Sequence, residues 1–347
     1  MKVDYIIVGL GLAGLAFSRE LTKHNKKFIV FEDDSQHSSK VAGGMYNPVV
    51  LKRFTPVWDA KTQLEKALPF YEELEDLLGG KYDYKVDIYR LFTSIEEQNN
   101  WFATCDNPVL SDYMIPKVIK RKYNGIDSPF GYGNVTKTGR LDTLTLLNDY
   151  RKHLEKENLI TYDKFDHESI ILDKDKVEYK DITAAKVVFC EGFGIKKNPF
   201  FKMLPMEEAK GEMITIHAPE LLIDFVLKSS VFIMPLGNDL YKIGATFNWD
   251  DTTSTPTEKA KNELIDKLNK IISVPYKIVG HVAGIRPTVR DRRPLIGVHS
   301  KYSQLTILNG LGTRGVMIAP TVAAELYDHL ENGSELRKEI NINRFSD

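Results

Sequence analysis

Tyr5-Ile6-Ile7-Val8-Gly9-Leu10-Gly11-Leu12-Ala13-Gly14 is the stretch on which the fold turns. Its four leading apolar residues suit a short buried strand of a parallel sheet. A Gly-x-Gly-x-x-Gly turn follows, and Leu12 to His24 then carries Leu15, Ala16 and Leu21 at helical intervals. Phe28-Ile29-Val30-Phe31 is a second buried strand, ending at Glu32. In such a strand–turn–helix–strand unit each glycine has its own task. Gly9 makes the tight turn, Gly11 lets a pyrophosphate approach the backbone, and Gly14 lets helix and strand pack closely. The first helical residues, Leu12 and Ala13, offer amides and a positive dipole end to the phosphates. Glu32, with Asp33 beside it, is placed to accept hydrogen bonds from ribose hydroxyls, and its charge repels a 2′-phosphate. The unit therefore predicts a dinucleotide other than NADP, and by itself leaves FAD and NAD open.

A second turn at the other end of the chain decides between them. Leu305-Thr306-Ile307-Leu308 reads as a strand, Asn309 to Gly315 as a glycine-rich turn, and Val316 to Leu330 as a helix closed by Asn332-Gly333. Gly310, Gly312 and Gly315 weaken this element unless something approaches its backbone. A second helix start makes sense for a ligand long enough to reach it, which points to FAD. Thr313, Arg314 and Val316 belong to the same turn. There the dipole would lie against the pyrimidine edge of a flavin and stabilise its anionic reduced form.

Between these ends the pattern changes. Ala60 to Leu78 is an amphipathic helix closed by Gly79-Gly80, and Arg140 to Glu157 also reads as helical. Glu212 to Ile216, Val231 to Met234 and Tyr241 to Ala245 alternate as antiparallel strands do, and Thr257 to Ile272 reads as a helix. The layout is α/β, α+β overall: a Rossmann-like nucleotide-binding domain with an interleaved, mainly antiparallel β domain. The pieces fall at 1–80, 140–205 and 280–347 for the former, and at 81–139 and 206–279 for the latter.

The 347 residues carry a formal net charge of -1, so no global field draws nucleic acid or anionic membrane. Lys117 to Lys122 is read as a solvated face. Cys105 and Cys190 have no ligand or disulfide spacing, and His167 and His281 have none either, so no metal is expected. No apolar run is long enough for a membrane span. Read as a buried strand rather than a leader, the N-terminal stretch fits a cytoplasmic protein.

Further segments complete an ordered series. They are Ala42-Gly43-Gly44-Met45, Val187 to Gly192, Lys210-Gly211-Glu212, Gly244-Ala245-Thr246, Gly284-Ile285-Arg286-Pro287 with Asp291, and Pro294 to Gly297. With the two glycine turns, this series resembles the D-amino-acid oxidase superfamily, which includes glycine and sarcosine oxidases. The resemblance implies a flavin contacted by Gly43, Gly44, Met45, Cys190 and Gly192. It also implies oxidation of an amine whose Cα carries a carboxylate: hydride passes to flavin N5, the imine is hydrolysed, and oxygen or another acceptor restores the flavin. No side-chain acid or base is required for this chemistry.

Arg286 stands where the family clamps the substrate carboxylate, a task for which the guanidinium fork is suited. Pairing with Asp291 is the competing, purely structural role. Phe232 falls where glycine oxidases place a carboxylate-holding tyrosine, and it offers no hydrogen bond. Thr313 stands where they place a second arginine, which is displaced here to Arg314. The string Gly310 to Gly315 is similar instead to the oxidase domain of the bifunctional tRNA enzyme that builds methylaminomethyl-uridine. That likeness adds tRNA as a conceivable partner beside a small amine or amino acid. Arg286 and Arg314 are the residues expected at the chemistry.

Overall fold

Alternation explains the first sheet. Tyr5, Ile7, Phe28 and Val30 enter one apolar core, whereas Ile6, Val8, Ile29 and Phe31 enter a second. A stretch of strand buried on both faces must be apolar at every position, and residues 5–8 and 28–31 are. In the computed structural model, which describes residues 1–35 and 37–345, they lie in the strands Lys2–Val8 and Phe28–Phe31. Parallel neighbours flank them in the order Ile160–Thr161, Phe28–Phe31, Lys2–Val8, Ile182–Phe189. The Ile182–Phe189 strand changes partner along its length. Its start pairs antiparallel with Lys176–Tyr179, and its end pairs parallel with Leu305–Asn309. Both glycine turns thereby emerge from strands of one sheet. The helices Leu12–Lys23 and Gly315–Asn332 that follow those turns share the first core.

The second sheet is antiparallel apart from one parallel pair. Its order is Lys277–Val289, Met206–His217, Leu240–Gly244, Phe232–Gly237, Val226–Lys228, Ile88–Leu91, Tyr132–Val135, Met114–Ile119. Ile214, Ile216, Ile233 and Ile243 point into a third core covered by the helix Glu258–Leu268. Met213, Phe232 and Met234 point the other way, into the core shared with the nucleotide sheet. The architecture is mixed α/β. The Lys277–Val289 strand, which straddles residue 280, runs as one piece through the antiparallel sheet.

Several local expectations are corrected. Arg140 does not begin a helix: Gly139–Leu141 is a strand between Met45–Tyr46 and Asp83–Lys85. Asp142 then caps the helix Thr143–Lys156 by accepting from Thr145 N at 3.1 Å, and this cap fixes the boundary. The helix Ile95–Cys105 was not expected, although Ser94 and Glu97 announce it; Ser94 Oγ accepts from Glu97 N at 3.1 Å. His167 lies in a short 3₁₀ turn. No helix among the described residues is long and apolar enough to cross a membrane.

Helix and sheet meet most closely at Gly14, where a Cβ would lie 2.1 Å from the Gly9 carbonyl oxygen. Gly14→Ala therefore has to push the helix off the strand, at a cost of about 1–3 kcal/mol. The expected result is a lower thermal midpoint together with reduced flavin content. A fully loaded variant of unchanged midpoint would contradict this packing role.

Candidate active site

A single cavity of about 1560 Å³ runs between the two sheets and touches the strand ends of both. At the nucleotide sheet its wall holds Gly9, Gly11, Leu12, Ala13, Glu32 and Asp33. Further along come Gly43, Gly44, Met45, Cys190 and Gly192, then Gly312, Thr313, Gly315 and Val316. The antiparallel sheet contributes Met213, Phe232, Ala245, Phe247 and Arg286. Three expected residues stand off this wall. Gly14 is taken up by helix packing, and Gly310 by Val289, whose Cγ2 would lie 2.6 Å from an added Cβ. Arg314 is the third. It precedes the helix Gly315–Asn332 and is not among the residues that line the cavity, so the wall brings in Arg286 without Arg314.

Glu32 is held in place before any ligand arrives. Its Oε2 accepts from Leu10 N at 2.6 Å and its Oε1 from Asp34 N at 3.1 Å. Arg151 Nη2 pairs with Oε1 at 3.2 Å and also reaches the Leu10 carbonyl at 3.4 Å. The remaining donors of Arg151, Nε and Nη1, are buried with no partner among the described residues. Sequence reading missed Arg151, which stands far from the motif in the chain and in an ordinary helix. Glu191 is fixed in the same way, by His167 Nε2 at 2.8 Å and Asn198 Nδ2 at 2.7 Å. The Cys190 thiol is buried, and burial pushes its pKa up, so it stays a neutral packing group.

Neither helix start facing the cavity is capped by its own N-cap side chain. Leu12 N meets the Ser39 hydroxyl at 3.3 Å and Met317 N the Arg314 carbonyl at 3.0 Å. Bare helix starts at both ends of one cavity suit an anionic dinucleotide. FAD fits this set of donors, with Glu32 at the adenosine end.

Arg286 is seated by glycine. An added Cβ at Gly211 would lie 1.9 Å from Arg286 Nη2, so the guanidinium lies flat across a residue with no side chain. Arg286 Nη1 reaches the carbonyls of Lys210 and Thr246 at 3.3 Å each, and Nη2 reaches Thr246 O at 3.2 Å. Phe247 covers the group, with the guanidinium carbon 4.1 Å from the ring centre. Among the described residues no carboxylate pairs with Arg286. Asp291, its expected rival partner, is bonded to Arg344 at 2.7 Å instead. Burial without a counter-charge pushes the Arg286 guanidinium down to about 10, which leaves it cationic at neutral pH.

The strand residues on either side of Gly211 do different work. Lys210 is fully buried, and its ammonium bonds Asp251 at 2.6 Å, the Thr255 carbonyl at 2.5 Å and the Thr253 hydroxyl at 3.3 Å. Glu212 accepts from Thr257 N at 2.7 Å and from its hydroxyl at 2.9 Å. Together they pin the segment that carries Thr246 and Phe247 over Arg286. The Lys210-Gly211-Glu212 motif thus builds the Arg286 seat from both faces of one strand.

The family model of the FAD dependent oxidoreductases, DAO, matches residues 4–329. The chain belongs to this family. It is 23% identical over 367 residues to glycine oxidase of Bacillus subtilis strain 168, covering 98% of this chain and 95% of that protein. It is 20% identical over 350 residues to the tRNA 5-methylaminomethyl-2-thiouridine biosynthesis bifunctional protein MnmC of Marinobacter nauticus, where it spans 94% of itself but 55% of that longer protein. The crystal structure of glycine oxidase from Bacillus cereus ATCC 14579 superposes with a TM-score of 0.77 at 19% identity, covering 96% of each chain. The chain is thus an FAD-dependent oxidoreductase with the glycine oxidase fold.

Arg151→Met tests the nucleotide end. Removing one member of a buried pair leaves Glu32 uncompensated, at a cost of about 3–5 kcal/mol. Denaturant unfolding should show that loss, and flavin should dissociate more readily from the variant. Stability and flavin affinity both equal to wild type would contradict the role given to the pair.

Proposed function

We propose that the enzyme oxidises the C–N bond of a small amine whose α-carbon carries a carboxylate, an amino acid or an N-substituted glycine. One observation carries this reading: among the described residues Arg286 is a cavity-lining cation bonded to carbonyl oxygens with no acid partner. Such a group is completed by an incoming carboxylate, and a guanidinium favours that geometry. The relatives named glycine oxidase support the same substrate class.

Residue roles follow from position. Arg286 anchors the carboxylate, and the Gly211 seat with the Thr246 carbonyl fixes its direction. Phe232 and Met213 supply an apolar wall for the carbon skeleton and keep water from it. Phe232 adds no hydroxyl to the carboxylate, so the load falls on Arg286. The Gly9–Gly14 turn with Leu12 and Ala13 receives the pyrophosphate, and Glu32 the ribose. Gly312, Thr313, Gly315 and Val316 present backbone and helix dipole to the flavin end. Bound FAD supplies the two-electron acceptor for the hydride that leaves the substrate carbon. The lining carboxylates stand by the nucleotide sheet and beside Lys267, so orientation rather than a side-chain base drives the step.

Anaerobic mixing of the holoenzyme with glycine, sarcosine, proline and D-amino acids should bleach the flavin with at least one of them. For that substrate Arg286→Ala should lower kcat/KM by about 100-fold or more, with Arg286→Lys recovering part of the loss. A flavin that stays oxidised across a broad amine panel, or an Arg286→Ala rate equal to wild type, would overturn the proposal.

A further inference from the structure

The antiparallel wall of the cavity ends in a second cation. Register carries one row of residues across the sheet: Lys228 opposite Phe232, Phe232 opposite Gly244, Gly244 opposite Met213, and Met213 opposite Val282. Directly opposed residues project from the same face, so Lys228 shares the face of Phe232 and Met213. Arg286 follows Val282 on the same strand at an even interval and shares that face too. Lys228, like Arg286, lines the cavity, and its ammonium has no acid partner among the described residues.

Its neighbours leave the charge uncompensated. Arg90 is bonded to Glu97 and to the carbonyls of Lys228 and Ser229. Lys267 lines the same end but pairs with Glu263 at 2.5 Å, and Glu263 is the acid of that end among the described residues. Lys52, on the turn between the strands Val49–Val50 and Thr55–Pro56, also lines the cavity and has no acid partner among the described residues. Burial, with Arg90 and Lys267 nearby, pushes the Lys228 ammonium down to about 8. A cation kept there unpaired costs stability that an anionic ligand would return.

We propose that Lys228, assisted by Lys52, is a second anion subsite, so that the substrate carries two acidic groups. This rests on the reading that an amine carboxylate docks at Arg286. The second acid sits at the far end of the side chain or of the nitrogen substituent. Four strand intervals and a four-residue offset along the last strand separate Lys228 from Arg286, about 23 Å between backbones. Even after both long side chains reach inward, a spacer of several atoms is needed between the acids. A lysine ammonium is a point charge, so a carboxylate and a phosphate monoester serve equally as the distal group.

The test uses holoenzyme and N-alkylglycines of matched spacer length that end in a carboxylate, a phosphate or a neutral carboxamide. A parallel set replaces the amine nitrogen by sulfur and is followed by perturbation of the flavin spectrum, which reads binding without turnover. The acid-ended compounds should exceed the carboxamide by about tenfold in kcat/KM and in affinity, less at high salt. The carboxylate and phosphate arms tell which acid is preferred. In Lys228→Gln the ratio should collapse toward one, in Lys228→Arg it should persist, and in Lys52→Gln it should fall partway. Because the ratio is taken within each variant, a general loss of activity does not imitate the result. A wild-type ratio near one in the binding set, or a full ratio in Lys228→Gln, would overturn the subsite. If no amine reduces the flavin while binding still discriminates through Lys228, the subsite stands and the oxidation reading falls. If amines reduce it with no preference for a second acid, the reverse holds.

Discussion

The guanidinium of Arg286 lies across Gly211 with carbonyl oxygens as its partners and a phenyl ring as its cover. Carbonyl dipoles orient a cation without cancelling its charge, so the positive potential remains available to the cavity. An acid in place of either carbonyl would fix the arginine equally well and leave it inert toward an anion. Much of the antiparallel sheet serves this arrangement. The Met206–His217 strand must carry a glycine at 211 to admit the group, and flanking charges at 210 and 212 to pin the loop above it. Those charges are buried, and they are tolerated because each finds several partners.

How legible was this in the sequence? The strands at 5–8, 28–31 and 305–308 of the nucleotide sheet were readable, because a stretch buried on both faces must be apolar throughout and their glycine turns sit between strand and helix. Helix ends were less so. Arg140 looked helical because the helix after it is amphipathic, and only the Asp142 cap marks the true start. The helix after Ser94 had a readable signal in Ser94 and Glu97 that the surrounding Tyr, Asn and Pro content obscured.

The site divides along a similar line. Glycines that approach a ligand announce themselves by spacing, and Gly9, Gly11, Gly43, Gly44, Gly312 and Gly315 all line the cavity. Residues that act by holding another residue carry no such mark. Arg151 steadies Glu32 from a helix more than a hundred residues away in the chain. Phe247 and Thr246 act on Arg286 through a loop whose path depends on Lys210. Arg314 shares a turn with Thr313 and Gly315, which line the cavity, but is not itself on the wall.

The cavity's charges are sorted by what each end must bind. By the nucleotide sheet Glu32 and Glu191 are immobilised acceptors, suited to hydroxyl groups and unsuited to an anion. Between the ends, bare helix starts bring partial positive charge without any side chain, which suits a pyrophosphate that must lie against backbone. At the antiparallel sheet the wall carries Arg286 and then Lys228, neither with an acid partner among the described residues. A ligand bearing hydroxyls, phosphates and then a carboxylate-bearing partner can lie along this sequence in one direction only. Reversed, it would set carboxylates against Glu32 and leave two buried cations without counter-charge. The same sorting separates the two kinds of arginine here: Arg151, spent on Glu32, builds the site, whereas Arg286, spent on nothing charged, is free to bind.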